Sequence, residues 1–164
     1  MTWKINERGV VLVGCGRMGG SLLDGWLASG VDPLVVHVID PYPSLKLMEL
    51  GVNVGGVLPS DPAIVVIAIK PQSLDRIAEN LPAVGRETLI LSVVAGISIP
   101  SWAALFPHSP VVRAMPNTPA TIRQGVTAII ANDKAGRQDV DLAQEIMKAV
   151  GHVVELDDEA QIDA

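Results

Sequence analysis

Cysteine is nearly missing from this chain: Cys15 stands alone among 164 residues, so no internal disulfide can form. Basic clusters are missing as well. Twelve Lys and Arg are set against eighteen Asp and Glu, giving a net charge of −6, and no stripe of cations is available to neutralise a phosphate backbone. A nucleic-acid partner is therefore not expected. No apolar run approaches the roughly 20 residues that cross a bilayer, because charges, Pro or Gly interrupt every one. The first thirty residues lack the basic-then-apolar layout of an export signal, since Val10 to Val13 is too short, and the cytoplasm is the expected address. Internal repeats, low-complexity tracts and an obvious linker are also absent. With 49% hydrophobic residues, the chain has enough to bury one core and too little for two full domains.

What is present is a series of Val/Ile-rich runs: Val10 to Val13, Leu34 to Ile39, Ala63 to Ile69, Thr88 to Val94 and Val111 to Ala114. None alternates with period two, so these read as strands buried on both faces. Helical patterns lie between them at Met18 to Ala28, Ser44 to Leu50 and Ser73 to Leu81, the last with Leu74, Ile77, Ala78 and Leu81 on one stripe. Two later strands, Val126 to Ala131 and His152 to Leu156, flank a helix from about Gln138 to Val150 with Gly151 just past its end. The alternation predicts an α/β fold of the Rossmann type, a doubly wound and mainly parallel sheet with helices on both faces. The three tryptophans and the scattered methionines read as core.

The first crossover carries the strongest chemical signal. Val10 to Val13 breaks into Gly14-Cys15-Gly16-Arg17-Met18-Gly19 and a helix follows. In such a turn Gly14 permits the sharp exit from the strand, Gly16 lets backbone approach a diphosphate, and Gly19 lets the helix pack closely. The helix N-terminus then supplies amides and a positive dipole end. Six residues of this kind also occur in ordinary glycine turns. Here a strand precedes, a helix follows, and the second apolar run ends in Asp40, about 20 residues on, where an acid that binds ribose hydroxyls is expected. Cys15 lies near a helix N-terminus, where a thiol pKa can fall, although a small packing residue is the plainer reading.

Other candidates sit at strand ends, where open α/β sheets bind ligands. Ala68-Ile69-Lys70-Pro71 aims Lys70 at the cleft, or leaves it solvated ahead of a helix. Val94-Ala95-Gly96 offers a small-residue turn that a flat ring could lie against, and equally a plain turn. Arg113 to Ala120, R-A-M-P-N-T-P-A, sets two prolines around Asn117 and Thr118 and gives a stiff polar loop. Asn117 either bonds a carboxamide with donor and acceptor together or closes an Asx turn. His37, His108 and His152 read as structural or solvated, and no residue is assigned as a catalytic acid or base. No metal site is expected.

The ordered set G-C-G-x-M-G, A-I-K-P, V-A-G and R-A-M-P-N-T-P-A resembles the N-terminal domain of the pyrroline-5-carboxylate reductase family over essentially the whole chain, the octapeptide most tellingly. The resemblance implies NAD(P)H-dependent reduction of 1-pyrroline-5-carboxylate to L-proline. It places cofactor contacts at Gly14, Cys15, Gly16, Arg17, Met18 and Gly19, at Ala68, Ile69, Lys70 and Pro71, and at Ala95 and Gly96. Met115, Pro116, Asn117 and Thr118 would lie beside the nicotinamide. It also implies a C-terminal helical domain that completes the substrate pocket and forms a homo-oligomer. Residues 1–155 would be the dinucleotide-binding domain, and residues 156–164 the start of a helix leading onward, without turnover by this part alone. Independently of the resemblance, a helix capped by Asp157 or Asp158 would have only Ile162 to bury.

The chain departs from the family at Asp40, where a small hydroxyl or amide residue is common, and at Arg17, where Asn is usual. An aspartate at the ribose repels a 2′-phosphate, so NAD is expected over NADP unless Arg17 or Lys46 offsets it. Tyr42, between two prolines, could face the adenine but reads better as an exposed turn residue, and nothing is assigned in Val52 to Pro59. Two other functions compete: a β-hydroxyacid or prephenate-type dehydrogenase, and a non-catalytic NAD(P)-sensing module.

Overall fold

The computed structural model describes residues 2–163, with backbone only for residues 2 and 3. After a first helix, α1 (Thr2–Arg8), the chain alternates strand and helix through β1 (Val10–Val13), α2 (Arg17–Ala28), β2 (Val36–Ile39), α3 (Leu45–Glu49), β3 (Asn53–Val54) and β4 (Ile64–Ile67). It continues with α4 (Leu74–Ile77), β5 (Leu89–Ser92), α5 (Ile99–Leu105), β6 (Val111–Pro116), β7 (Gly125–Ala131), α6 (Arg137–Lys148) and β8 (Gly151–Glu155). All eight strands form one sheet in the order β3-β2-β1-β4-β5-β6-β7-β8. The first six run parallel; β7 turns antiparallel to β6, and β8 is parallel to β7. This is the doubly wound, mainly parallel sheet predicted from the alternation.

The central strands β1, β4 and β5 are buried along their whole length, as continuous apolar runs require when helices cover both faces. On one face Leu12, Val66 and Leu91 pack under α1, α2 and α6 through Ile5, Leu22, Trp26, Leu142 and Ile146. On the other, Val11, Val65 and Ile90 pack with Trp102 and Phe106, together with Leu74, Ile77 and Leu81. The indole N–H of Trp26 donates to the Ile146 carbonyl at 3.1 Å, tying α2 to α6. Trp26, Trp102 and Met147 are core as expected, Met48 is exposed, and the side chain of Trp3 and all of Met1 lie outside the described residues.

Several boundaries move for identifiable reasons. The run from Leu34 starts as a 3-10 turn, Pro33–Val35, because Pro33 presets its first position and Asp32 accepts from the Leu34 amide at 2.9 Å; Leu34 itself is 69% exposed. The expected helix from Ser73 to Leu81 is a 3-10 turn (Pro71–Ser73), one α turn and a second 3-10 turn (Ala78–Asn80), although its apolar stripe still meets the sheet. Helix α6 ends at Lys148 with Ala149 as its cap, so Gly151 is not the residue after the cap but the first of β8. Neither α1 nor α5 was expected. The signal for α5 was available: Ser98 accepts from the Ser101 amide, with Pro100 in the first turn.

The acidic end corrects the expectation that a late helix has almost nothing to bury. A 3-10 segment, Glu159–Asp163, lies against β7, Ile162 is 8% exposed, and Glu159 and Asp163 both pair with Arg113. Among the described residues no helix is long and apolar enough to cross a membrane.

Candidate cofactor-binding site

The carboxyl ends of β1, β2 and β4 open into a cleft of about 670 Å³. Of the residues expected there, Gly14, Gly16, Asp40, Ala68, Ile69 and Lys70 line it. Three glycine environments explain the shape of its floor. Gly14 has φ +87°, a left-handed conformation, and a Cβ there would stand 2.7 Å from the Ala68 carbonyl oxygen. At Gly16 a Cβ would meet nothing within 4 Å, so the missing side chain leaves open space above the backbone on the cleft side. Gly19 answers to a closer constraint than helix-on-sheet packing, since a Cβ there would fall 2.2 Å from the Gly14 carbonyl oxygen.

Helix α2 begins just past this floor. Gly16 is its N-cap and offers no side-chain acceptor, so the first helical amides have no intrahelical partner and face the open side with the positive dipole end. An anion with several oxygens fits that arrangement. With no side chain at Gly16, which lines the cleft, a diphosphate could approach the backbone there.

Asp40 is fixed at the other end of the loop. One carboxylate oxygen accepts from the Cys15 amide and the other from the Tyr42 amide, both at 2.8 Å. The acid therefore joins the glycine turn to the end of β2. Cys15 does not have the lowered pKa that a helix N-terminus can produce: burial, then the charge of Asp40, pushes the thiol up to about 11. It is protonated at neutral pH and serves as a small packing residue against the α2 face of the sheet. Burial likewise lowers the pKa of His37 on β2. His108 and His152 are exposed.

The remaining candidates divide. Arg17 is exposed at the start of α2, Met18 is half-buried against the core, and Pro71 opens the 3-10 turn after Lys70. Lys46 pairs with Asp24 at 3.1 Å on the surface and does not line the cleft. Ala95 and Gly96 form an exposed turn after β5, with Gly96 at φ +77°. Met115 and Pro116 are not loop residues but the last two of β6, paired across to Ala128 and Thr127. Asn117 accepts from the Val126 amide at 2.9 Å, so its oxygen holds the start of β7, which fixes the side chain and leaves the amide nitrogen and the second oxygen lone pair for another partner. Thr118 begins a 3-10 turn, Thr118–Ile122, that packs beside α2, and Arg123 donates to the Asp24 carbonyl at 3.3 Å. None of Ala95, Gly96 or residues 115–118 lines the 670 Å³ cleft; they stand farther along the same carboxyl edge.

The structure adds residues that the sequence reading missed. Ser73, Arg76, Ile77 and Asn80 line the cleft, spaced three, four and seven apart along one side of the broken helix after Lys70. That spacing was a usable signal. Tyr42 is 84% exposed and also lines the cleft, so the two readings of this residue are compatible. Gly55, in the stretch left unassigned, lines it as well. Among the described residues no group of three or more His, Cys, Asp or Glu is placed to hold a metal.

Comparison with known proteins follows the same lines. The chain is 37% identical to a pyrroline-5-carboxylate reductase of Pseudomonas aeruginosa, over 94% of this chain and 60% of that protein. A solved pyrroline-5-carboxylate reductase from Coxiella burnetii superposes with a TM-score of 0.79 at 28% identity, covering 95% of this chain and 61% of the other. A Plasmodium falciparum pyrroline carboxylate reductase, solved with NADP bound, shares the fold at a TM-score of 0.77 and 18% identity, over 93% of this chain and 59% of that one. The chain spans about three fifths of the length of each of these relatives. Residues 9–96, from the residue before β1 to the turn after β5, match the family described as NADP oxidoreductase coenzyme F420-dependent, and the chain belongs to that family.

Proposed function

We propose that this chain is the dinucleotide-binding part of an enzyme that reduces 1-pyrroline-5-carboxylate to L-proline with NAD(P)H. The open space above Gly16, facing the uncapped start of α2, carries the reading, and the similarity to pyrroline-5-carboxylate reductases supports the choice of substrate. Bound there, the reduced dinucleotide supplies a hydride to the imine carbon of the protonated pyrroline ring. The protein's share is placement. The amides at the start of α2 hold the diphosphate, Asp40 stands at the adenosine ribose, and Tyr42 and Arg76, which both line the cleft, take the adenine end. Residues 95–96 and 115–118 stand at the nicotinamide end, where aligning the two reactants is the main source of acceleration. No side chain in the described residues is assigned as proton donor. The substrate's carboxylate and the homo-oligomer contacts are assigned to a second domain, of which residues 156–164 would be the beginning. The protein acts in the cytoplasm.

Asp40 favours NAD. A carboxylate about 4 Å from a 2′-phosphate charge costs about 4 kcal/mol at an effective dielectric of about 20, reduced by screening. Arg17, exposed at the start of α2, and Arg76, which lines the cleft, are the cations that would offset the repulsion, whereas Lys46 does not line the cleft. In the protein carrying both domains, oxidation of reduced dinucleotide should match proline formed, with the higher kcat/KM for NADH. A tenfold advantage for NADPH would overturn the preference. A protein that binds dinucleotide yet forms no proline would overturn the function and favour sensing.

A further inference from the structure

Arg113 is an unusual residue for its place: it lies within β6, is 2% exposed, and faces the side of the sheet that holds Trp102 and Phe106. Its two terminal nitrogens pair with Glu159 Oε1 at 2.9 Å and Asp163 Oδ1 at 3.0 Å, while Nε has no partner. The same Glu159 oxygen accepts from the Ile99 amide at 2.7 Å. Ile99 is the first residue of α5, so Glu159 grips the far end of the turn that holds Ala95 and Gly96. The near end is held by Ser92, which accepts from the Val94 amide at 3.1 Å and lies opposite Arg113 in register. Arg113 in turn sits two residues before Met115 and leads directly into Asn117 and Thr118.

One carboxylate oxygen therefore joins the loop after β5 to the strand that carries the loop after β6. Burying a guanidinium is costly, and an apolar side chain of similar size often gives equal or better stability at such a position. What an apolar residue cannot do is fix the distance between two loops through a shared acceptor. We infer that Arg113 and Glu159 form a latch that sets the position of the turn at residues 94–98 relative to the end of β6 and the residues that follow it, 115–118, and so act as positioning residues for the nicotinamide half of the bound dinucleotide. This rests on the cofactor reading above for the ligand, and on the hydrogen bonds alone for the latch.

The test uses the whole chain and two probes, NADH and ADP-ribose, which differ by the nicotinamide. In Glu159→Ala the advantage of NADH over ADP-ribose should fall about tenfold, the loss of roughly one charge-assisted hydrogen bond's worth of placement, with ADP-ribose affinity unchanged. Glu159→Gln keeps an acceptor oxygen for both Arg113 and Ile99 and should restore most of that advantage. A structural role would lower both affinities together or neither, and either result overturns the inference. A ligand-free measurement runs beside it: amide hydrogen exchange at Ile99 and residues 95–97 should accelerate in Glu159→Ala while β1 stays protected. Unchanged exchange overturns the latch. If the unaltered chain binds neither probe, the proposed function fails instead, and exchange alone decides the latch.

Discussion

Gly19→Ala should weaken dinucleotide binding by at least about 100-fold, close to 2.7 kcal/mol, while the chain stays folded. The added methyl would lie 2.2 Å from the Gly14 carbonyl oxygen, far inside any contact that atoms tolerate, and 3.5 Å from the Ala68 Cβ. The loop cannot move aside to receive it. Gly14 is held by a 2.8 Å bond from its amide to the Ile39 carbonyl, by a left-handed φ, and by close approach to the Ala68 backbone. The helix must retreat instead, and it carries away the amides that face the cleft. Gly20→Ala is the matched control: a Cβ there meets nothing within 4 Å. Alanine is also the better helix former by about 1 kcal/mol, so binding should hold within about twofold and stability should rise slightly. Calorimetric titration of both variants separates the two outcomes, and equal affinities would contradict the crowding argument.

Gly151→Ala should cost the fold about 3 kcal/mol or more, because it combines a strained backbone with a collision. Gly151 has φ +141°, and its Cβ would stand 2.0 Å from the Gly125 carbonyl oxygen and 2.6 Å from the Gly125 nitrogen. Gly125 has no room to yield: its own Cβ position is 2.8 Å from Ala120, and its amide donates to the Val150 carbonyl at 3.0 Å. Three backbone segments thus stack at van der Waals distance where β7 and β8 begin. At about 2 to 4 °C per kcal/mol for a chain of this size, thermal unfolding should shift down by about 6 to 12 °C. A shift under about 2 °C would mean that the strand ends are looser than the geometry implies.

The centre of the sheet was legible because β1, β4 and β5 are buried on both faces, and burial of that kind writes an uninterrupted Val/Ile run into the chain; β2, read the same way, instead alternates buried and half-buried residues because it lies next to the short outer strand β3. The glycine turn was legible because Gly14 and Gly19 answer steric demands that no other residue meets, the one at Gly19 coming from the loop's own carbonyl, while Gly16 meets no such demand within the chain. Tertiary bonds were not legible. Asn117 reads as a free carboxamide until β7 folds back to give it the Val126 amide, and Arg113 reads as a motif residue until residues 159–163 fold onto it. The strand running through Met115 and Pro116 depends on antiparallel pairing with β7, which no local pattern records. The cleft wall at Ser73, Arg76 and Asn80 carries a readable i, i+3, i+7 spacing, but only the fold shows that this side of the segment, broken into 3-10 turns, faces the cleft. Asp40 was placed correctly at the end of β2, and its bonds to the Cys15 and Tyr42 amides are the part only folding discloses.

The central claim is that backbone amides at the turn from β1 into α2 hold a diphosphate. A crystal structure of this chain grown with NADH tests it most directly. The diphosphate should lie within hydrogen-bond distance of the main-chain amides of residues 16–18, directly over Gly16, with its adenosine end toward Asp40 and Tyr42. A dinucleotide whose diphosphate sits away from that turn would contradict the account.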